Sequence, residues 1–142
     1  MAYETLEGQG VINGLALCAG YGGLELGCSL AGLPLRVVCH VEREAYAVAN
    51  AVGAMAVGMA SGGMDPAPIW DDLETFSGFR WRGRVDLITA GIPCQPWSQA
   101  GKRLGEADER WIWGDVDRII SEVVPSIVFL ENVPGLKRGG LG

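Results

Sequence analysis

Leu15-Ala16-Leu17-Cys18-Ala19-Gly20-Tyr21-Gly22-Gly23-Leu24 is the stretch that decides the fold. Leu15 to Cys18 is an apolar run of strand length, and the cluster Gly20, Gly22, Gly23 stops it. Leu24 to Ala31 then reads as a helix ended by Gly32 and Pro34. A strand, a glycine turn and a helix in succession open an α/β unit with parallel strands. Working outward, Leu35 to Val41 reads as a second strand and the alanine-rich Glu44 to Val52 as a second helix. Gly53 to Pro68 shows no clear period, and its latter part, Ser61 to Pro68, reads as a loop. A short third strand is expected near Ile69 and Trp70, and a fourth over Val85 to Ala90. Val116, Ile119, Ile120 and Val123 fall on one face of a helix over Trp113 to Val124, which Pro125 ends, and Ser126 to Leu130 forms a fifth strand.

With 142 residues and no internal repeat, one domain is expected, and the apolar fraction of 49% suffices for a core. No apolar run reaches the roughly 18 residues of a membrane span, and the first residues lack a signal-peptide pattern, so a cytoplasmic protein is expected. The four cysteines form no C-x-x-C pair and His40 stands alone, which leaves no metal site to expect. Free buried thiols are the expectation for Cys18, Cys28 and Cys39. A net charge of −6 argues against a nucleic-acid partner at the level of the whole surface, although local basic clusters can still meet phosphates.

Parallel strands joined by crossovers present their carboxyl ends on one edge, where ligands bind. After the successive strands come the glycine loop, Glu42, Asp71 or Asp72, Cys94 and Glu131. The glycines let a ligand approach backbone N–H groups at a helix start, although G-x-G-G is not the dinucleotide spacing and a plain tight turn is the alternative. Glu42, about 20 residues on, stands where an acid accepts from ribose hydroxyls; a helix-start acid is the alternative. Asp72 could accept from an adenine amine, Asp71 competes for that place, and either could cap a turn. Cys94 lies in Pro93-Cys94-Gln95-Pro96, where two prolines stiffen the loop as a covalent nucleophile requires; a structural cysteine is the alternative. Glu131 follows Phe129 and Leu130; burial there would keep it protonated as a hydrogen-bond donor, whereas loop N–H groups would keep it ionised.

These residues resemble the C5-cytosine methyltransferase family. Leu17 to Gly27 resembles its first motif, Glu42 its second, Asp72-Leu73 its third, and Gly91-Ile92-Pro93-Cys94-Gln95-Pro96-Trp97-Ser98 its Pro-Cys-Gln loop. Asp108-Glu109-Arg110 with Ile112-Trp113 is similar to the fifth motif, and Phe129-Leu130-Glu131-Asn132-Val133 to the sixth. The resemblance implies a Rossmann-like S-adenosylmethionine-dependent methyltransferase fold, α/β with a mainly parallel sheet of about five strands. It implies Cys94 and Glu131 as catalytic residues. Cofactor contacts are implied at Cys18, Ala19, Gly20, Gly22, Gly23, Glu42, Arg43, Asp72, Leu73 and Pro93, and DNA contacts at Gln95, Ser98, Lys102, Arg103 and Arg110. The implied reaction flips a cytosine out of duplex DNA, adds the Cys94 thiolate to C6 and methylates C5. Arg80, Arg82 and Arg84 with Trp81 could also meet phosphates, but they read first as a solvated charged turn.

The chain departs from the family pattern at Ala16, where the first motif usually carries Asp or Ser. The eighth motif, the target-recognition region and the tenth motif are expected beyond Gly142. Residues 1–142 are therefore expected to be a partial catalytic domain, inactive alone, that works with a further C-terminal region or a complementing chain. A prokaryotic or phage source and a restriction–modification setting are expected. A methyltransferase acting on RNA and a non-catalytic cofactor-binding fragment are the alternatives. A nicotinamide-dependent reductase is disfavoured by the glycine spacing.

Overall fold

The computed structural model describes residues 10–60, 66–92 and 112–132. Five strands, β1 (Ile12–Leu17), β2 (Leu35–Val41), β3 (Ile69–Trp70), β4 (Leu87–Gly91) and β5 (Ile127–Glu131), form one sheet in the order β3-β2-β1-β4-β5. Every neighbouring pair is parallel. The order runs outward from β1 in one direction and then restarts at β4 in the other. That reversal opens a crevice at the carboxyl ends of β1 and β4, the usual ligand position in such sheets.

Helices α1 (Gly23–Leu30) and α2 (Ala45–Ala60) follow β1 and β2, and α3 (Trp113–Val123) precedes β5. Side chains alternate across a strand, so each strand serves two faces. Leu15, Leu17, Val41 and Ile88 point to the α3 face, where Val116, Ile119 and Val123 complete a fully buried core. Each such aliphatic side chain contributes about 1.5–3 kcal/mol of burial. Phe76 seals one side, stacked on Trp81 with ring centroids 6.2 Å apart and met edge-on by Trp70 at 6.3 Å. The expected 3.6-residue stripe on α3 is thus the stripe that packs. On the opposite face one row runs across the sheet, His40–Ala16–Thr89–Phe129, beneath α1.

Several boundaries differ from the sequence reading. β1 begins at Ile12 rather than Leu15 and ends at Leu17, because Cys18 turns into the left-handed region at φ 48°. α2 runs to Ala60, past the expected end at Val52. Ala51, Ala54, Ala56 and Ala60 are strong helix formers, and Gly53 costs only about 1 kcal/mol against alanine. β4 begins at Leu87, although Val85 is buried as expected. Arg82 does not belong to a merely solvated turn. Its guanidinium donates to the Glu122 and Ser121 carbonyls at 2.8 and 3.1 Å, joining the 3-10 turn Gly78–Trp81 to the last turn of α3.

Candidate active site

The glycine loop is built by backbone geometry. Gly20 and Gly22 hold φ of 52° and 73°, a region that costs a side-chain-bearing residue about 1–2 kcal/mol. The Gly22 N–H donates to the Ala19 carbonyl at 2.8 Å, and Gly22 caps α1 with no side-chain cap, which leaves the helix start facing the crevice. Glu42 reaches this loop directly. Its Oε2 accepts the Gly20 N–H and its Oε1 the Glu44 N–H, both at 2.7 Å. The expected acid and the expected glycines therefore form one hydrogen-bonded unit, and each carboxylate oxygen keeps a further lone pair for a ligand hydroxyl. Glu44, not Glu42, caps α2, accepting the Tyr46 and Ala47 N–H groups at 3.0 and 3.1 Å. Burial, and then the charge of Glu42, push the Cys18 thiol up to about 12, which keeps it protonated beside the loop. Ala19 and Gly23 complete the loop, and Arg43 is exposed beside Glu42.

The neighbouring strand end carries the third expected element. The Glu42 N–H donates to the Trp70 carbonyl at 2.9 Å, which sets β3 and its following turn beside Glu42. Asp72 Oδ1 accepts the Glu74 N–H at 3.0 Å, so this carboxylate caps a turn while Asp71 stays exposed. Leu73 packs its side chain against the α3-face core, so a ligand at the sheet edge would meet its backbone. Arg118 was not singled out in the sequence, yet it holds this turn. Its guanidinium donates to the carbonyls of Leu73 at 2.7 Å and Phe76 at 2.9 Å, steadied by Asp115 and Glu122 at 3.1 and 3.2 Å.

At the other side of the crevice, Gly91 ends β4 between two further strand ends. A methyl group added at Gly91 would stand 3.6 Å from the Cys18 carbonyl and 4.0 Å from Glu131 Oε2. The ends of β1, β4 and β5 thus converge within contact distance, with the Glu131 carboxyl at the strand that leads to Cys94. The burial expected for Glu131 is not observed: Glu131 is exposed, and Phe129 and Leu130 are 45% and 37% exposed. β5 is the outer strand, and no described strand pairs with its free side. Pro93, Cys94, Gln95, Ser98, Lys102, Arg103 and Arg110 lie outside the described residues.

A cavity of about 550 Å³ lies between α1 and α2 on the face opposite the core, with Gly20, Gly22, Glu25, His40 and Met55 in its wall. Its size suits a small-molecule ligand. Glu25 is buried, accepts the Thr89 hydroxyl through Oε1, and keeps Oε2 without a partner among the described residues. His40 Nδ1 is likewise buried without one, and burial lowers its pKa against the opposing charge of Glu25. Nothing local in the sequence announces this cluster, because its members come from α1, β2 and β4. Among the described residues no group of three His, Cys, Asp or Glu could hold a metal ion, and no helix is long and apolar enough to cross a membrane.

Known proteins agree with this arrangement at the level of fold and of sequence. S. pombe Dnmt2 methyltransferase superposes with a TM-score of 0.63 at 21% identity, covering 91% of this chain and 38% of that one. A Spodoptera frugiperda DNMT2 variant superposes with a TM-score of 0.62 at 20% identity, over 92% and 38% of the two chains. Both likenesses show a methyltransferase fold of the Rossmann-like class. Among curated relatives, Type II methyltransferase M.PspPI of a Psychrobacter species is 38% identical over 137 residues, 96% of this chain and 30% of its own length. Type II methyltransferase M.NgoMIV of Neisseria gonorrhoeae is 34% identical over 126 residues, 86% and 36% of the two lengths. The chain therefore spans about a third of the length of these relatives. The C-5 cytosine-specific DNA methylase profile matches residues 12–139, nearly the whole of the chain, and the chain belongs to that family.

Proposed function

We propose that this chain carries the cofactor seat and the nucleophile of an enzyme that methylates C5 of a cytosine flipped out of DNA. The observation that supports it most is the convergence at Gly91, where the glycine-loop strand, the strand leading to Cys94 and the Glu131 carboxyl meet within about 4 Å. S-adenosylmethionine fits the first part of that edge. The left-handed glycines clear the backbone, the start of α1 offers N–H donors to a carboxylate, and Glu42 has lone pairs left for ribose hydroxyls. Gly20, Gly22, Glu42 and the backbone at Asp72 and Leu73 would hold it, with Cys18, Ala19, Gly23, Arg43 and Pro93 around them. Bound there, it would supply an electrophilic methyl group.

The chain's own residues then do the rest. The Cys94 thiolate adds to C6 of the flipped base, forming an S–C6 bond and moving electron density to C5. Glu131 hydrogen-bonds N3 and the exocyclic amine, stabilising that density. Since Glu131 is exposed, the incoming base is what removes it from water. Once C5 has taken the methyl group, its proton leaves, the S–C6 bond breaks and the thiolate is restored. Gln95, Ser98, Lys102, Arg103 and Arg110 would meet the strand around the base, positioning it through phosphates without specifying sequence. Recognition of a target site belongs in this reading to protein beyond these residues.

Mass spectrometry after mixing the protein with S-adenosylmethionine and an oligonucleotide containing 5-fluorocytosine tests this reading, because a fluorine at C5 blocks the final proton loss and traps the adduct. A covalent adduct on the Cys94 peptide with DNA, absent in Cys94→Ala, is the expected result. An adduct only with RNA would move the substrate class. Methyl transfer surviving in Cys94→Ala above about a hundredth of the parent rate would sink the nucleophile, since covalent catalysis supplies several kcal/mol.

A further inference from the structure

We propose that Glu25 is a positioning residue, which fixes the glycine loop against the strand leading to the nucleophile through its buried bond to Thr89. The inference rests on the function proposed above for those two segments, but the tie is a property of the fold. Glu25 stands in the first turn of α1, three residues after Gly22, and Thr89 two residues before Gly91. The bond between them spans 64 positions of sequence. Glu25 is only 8% exposed and Thr89 1%, so neither is a surface side chain that met its partner by chance. A buried carboxyl group is costly without hydrogen-bond partners, and the Thr89 hydroxyl supplies one here.

The row across the sheet explains how the contact is made. Ala16 pairs with Thr89 on one side and His40 on the other, and its small side chain leaves room above the sheet centre. Into that space α1 lowers the Glu25 carboxylate. Glu25 Oε2 also lies 3.8 Å from where a side chain on Gly22 would begin, directly under the loop. The carboxyl group therefore lies close beneath the loop as well as against the strand.

Backbone amide exchange on the 142-residue chain without cofactor tests the tie. Thr89→Val removes the donor at nearly constant volume. It is expected to speed exchange at residues 19–26 by about tenfold, the scale of one lost hydrogen bond, while α3 and the core ends of β1 and β4 stay protected. Thr89→Ser, which keeps the hydroxyl, is expected to restore the parent rates. Glu25→Leu removes the acceptor from the other side and should speed the same residues, with the double variant no faster than either single one. Parent-like exchange in Thr89→Val, or Thr89→Ser exchanging as fast as Thr89→Val, would overturn the proposal. Cofactor affinity of the parent chain is measured separately and reports on the proposed function alone, so the two failures are distinguishable.

Discussion

Glu42 holds the Gly20 N–H at 2.7 Å, and in the function proposed above the same carboxylate would also meet a ribose. Glu42→Ala is expected to weaken S-adenosylmethionine binding by about 1–3 kcal/mol, the cost of broken part-buried hydrogen bonds, while the sheet core stays folded. Calorimetry on both proteins decides it, and an unchanged dissociation constant would return Glu42 to a turn-closing role. The buried thiols lead to a second expectation. Burial pushes Cys39 up to about 11, and burial with the Glu42 charge pushes Cys18 up to about 12, against an ordinary value of 9.0. The folded state keeps these protons longer than the unfolded chain does. Their contribution to stability is therefore complete below about pH 9 and is lost as pH rises through 11 and 12. Urea midpoints should fall across that alkaline range, and more shallowly in Cys39→Val; parallel curves for the two proteins would remove Cys39 as a cause.

At the level of elements, α3 ends on an unusual residue. Val124 closes the helix in the left-handed region at φ 55° and ψ 60°, a conformation that suits glycine and crowds a β-branched side chain. Its side chain is 64% exposed and so recovers little by packing. Val124→Gly is expected to stabilise the chain by about 1 kcal/mol, seen as a higher urea midpoint at unchanged slope. No gain would mean that the extra freedom of glycine in the unfolded chain offsets the relieved strain. α2 illustrates the opposite case. Among its described side chains only Ala47 and Met55 are buried, with Tyr46 and Val57 79% and 72% exposed.

For the molecule as a whole, β5 is the exposed margin. Ile127, Val128, Phe129 and Leu130 are 52%, 38%, 45% and 37% exposed, on a strand whose outer backbone groups meet no described strand. Such an apolar edge invites pairing with another strand. The 142-residue polypeptide by itself is expected to associate as its concentration rises, and Phe129→Lys to reduce that association, both followed by sedimentation velocity. A parent chain that sediments as a monomer at every concentration would show that the edge is covered.

The number of described strands and their succession along the chain were legible in the sequence alone. Gly20, Gly22, Pro34 and Pro125 act on the backbone within a few residues, and the stripe Val116, Ile119, Ile120, Val123 is legible from spacing. The bounds of β2, Leu35 and Val41, follow from the sequence for the same reason. Helix length past Gly53 escaped that reading because alanine carries no periodic signal. Only the tertiary structure decided what lies beside what: Glu42 on the Gly20 N–H across 22 positions, Glu25 on Thr89 across 64, and Arg118 on the Leu73 carbonyl across 45. It also decided that Glu131 stands exposed on an outer strand beside Gly91. Backbone preferences are local and can be read along the chain, whereas burial and partnership exist only once parallel strands have paired and helices have chosen a face.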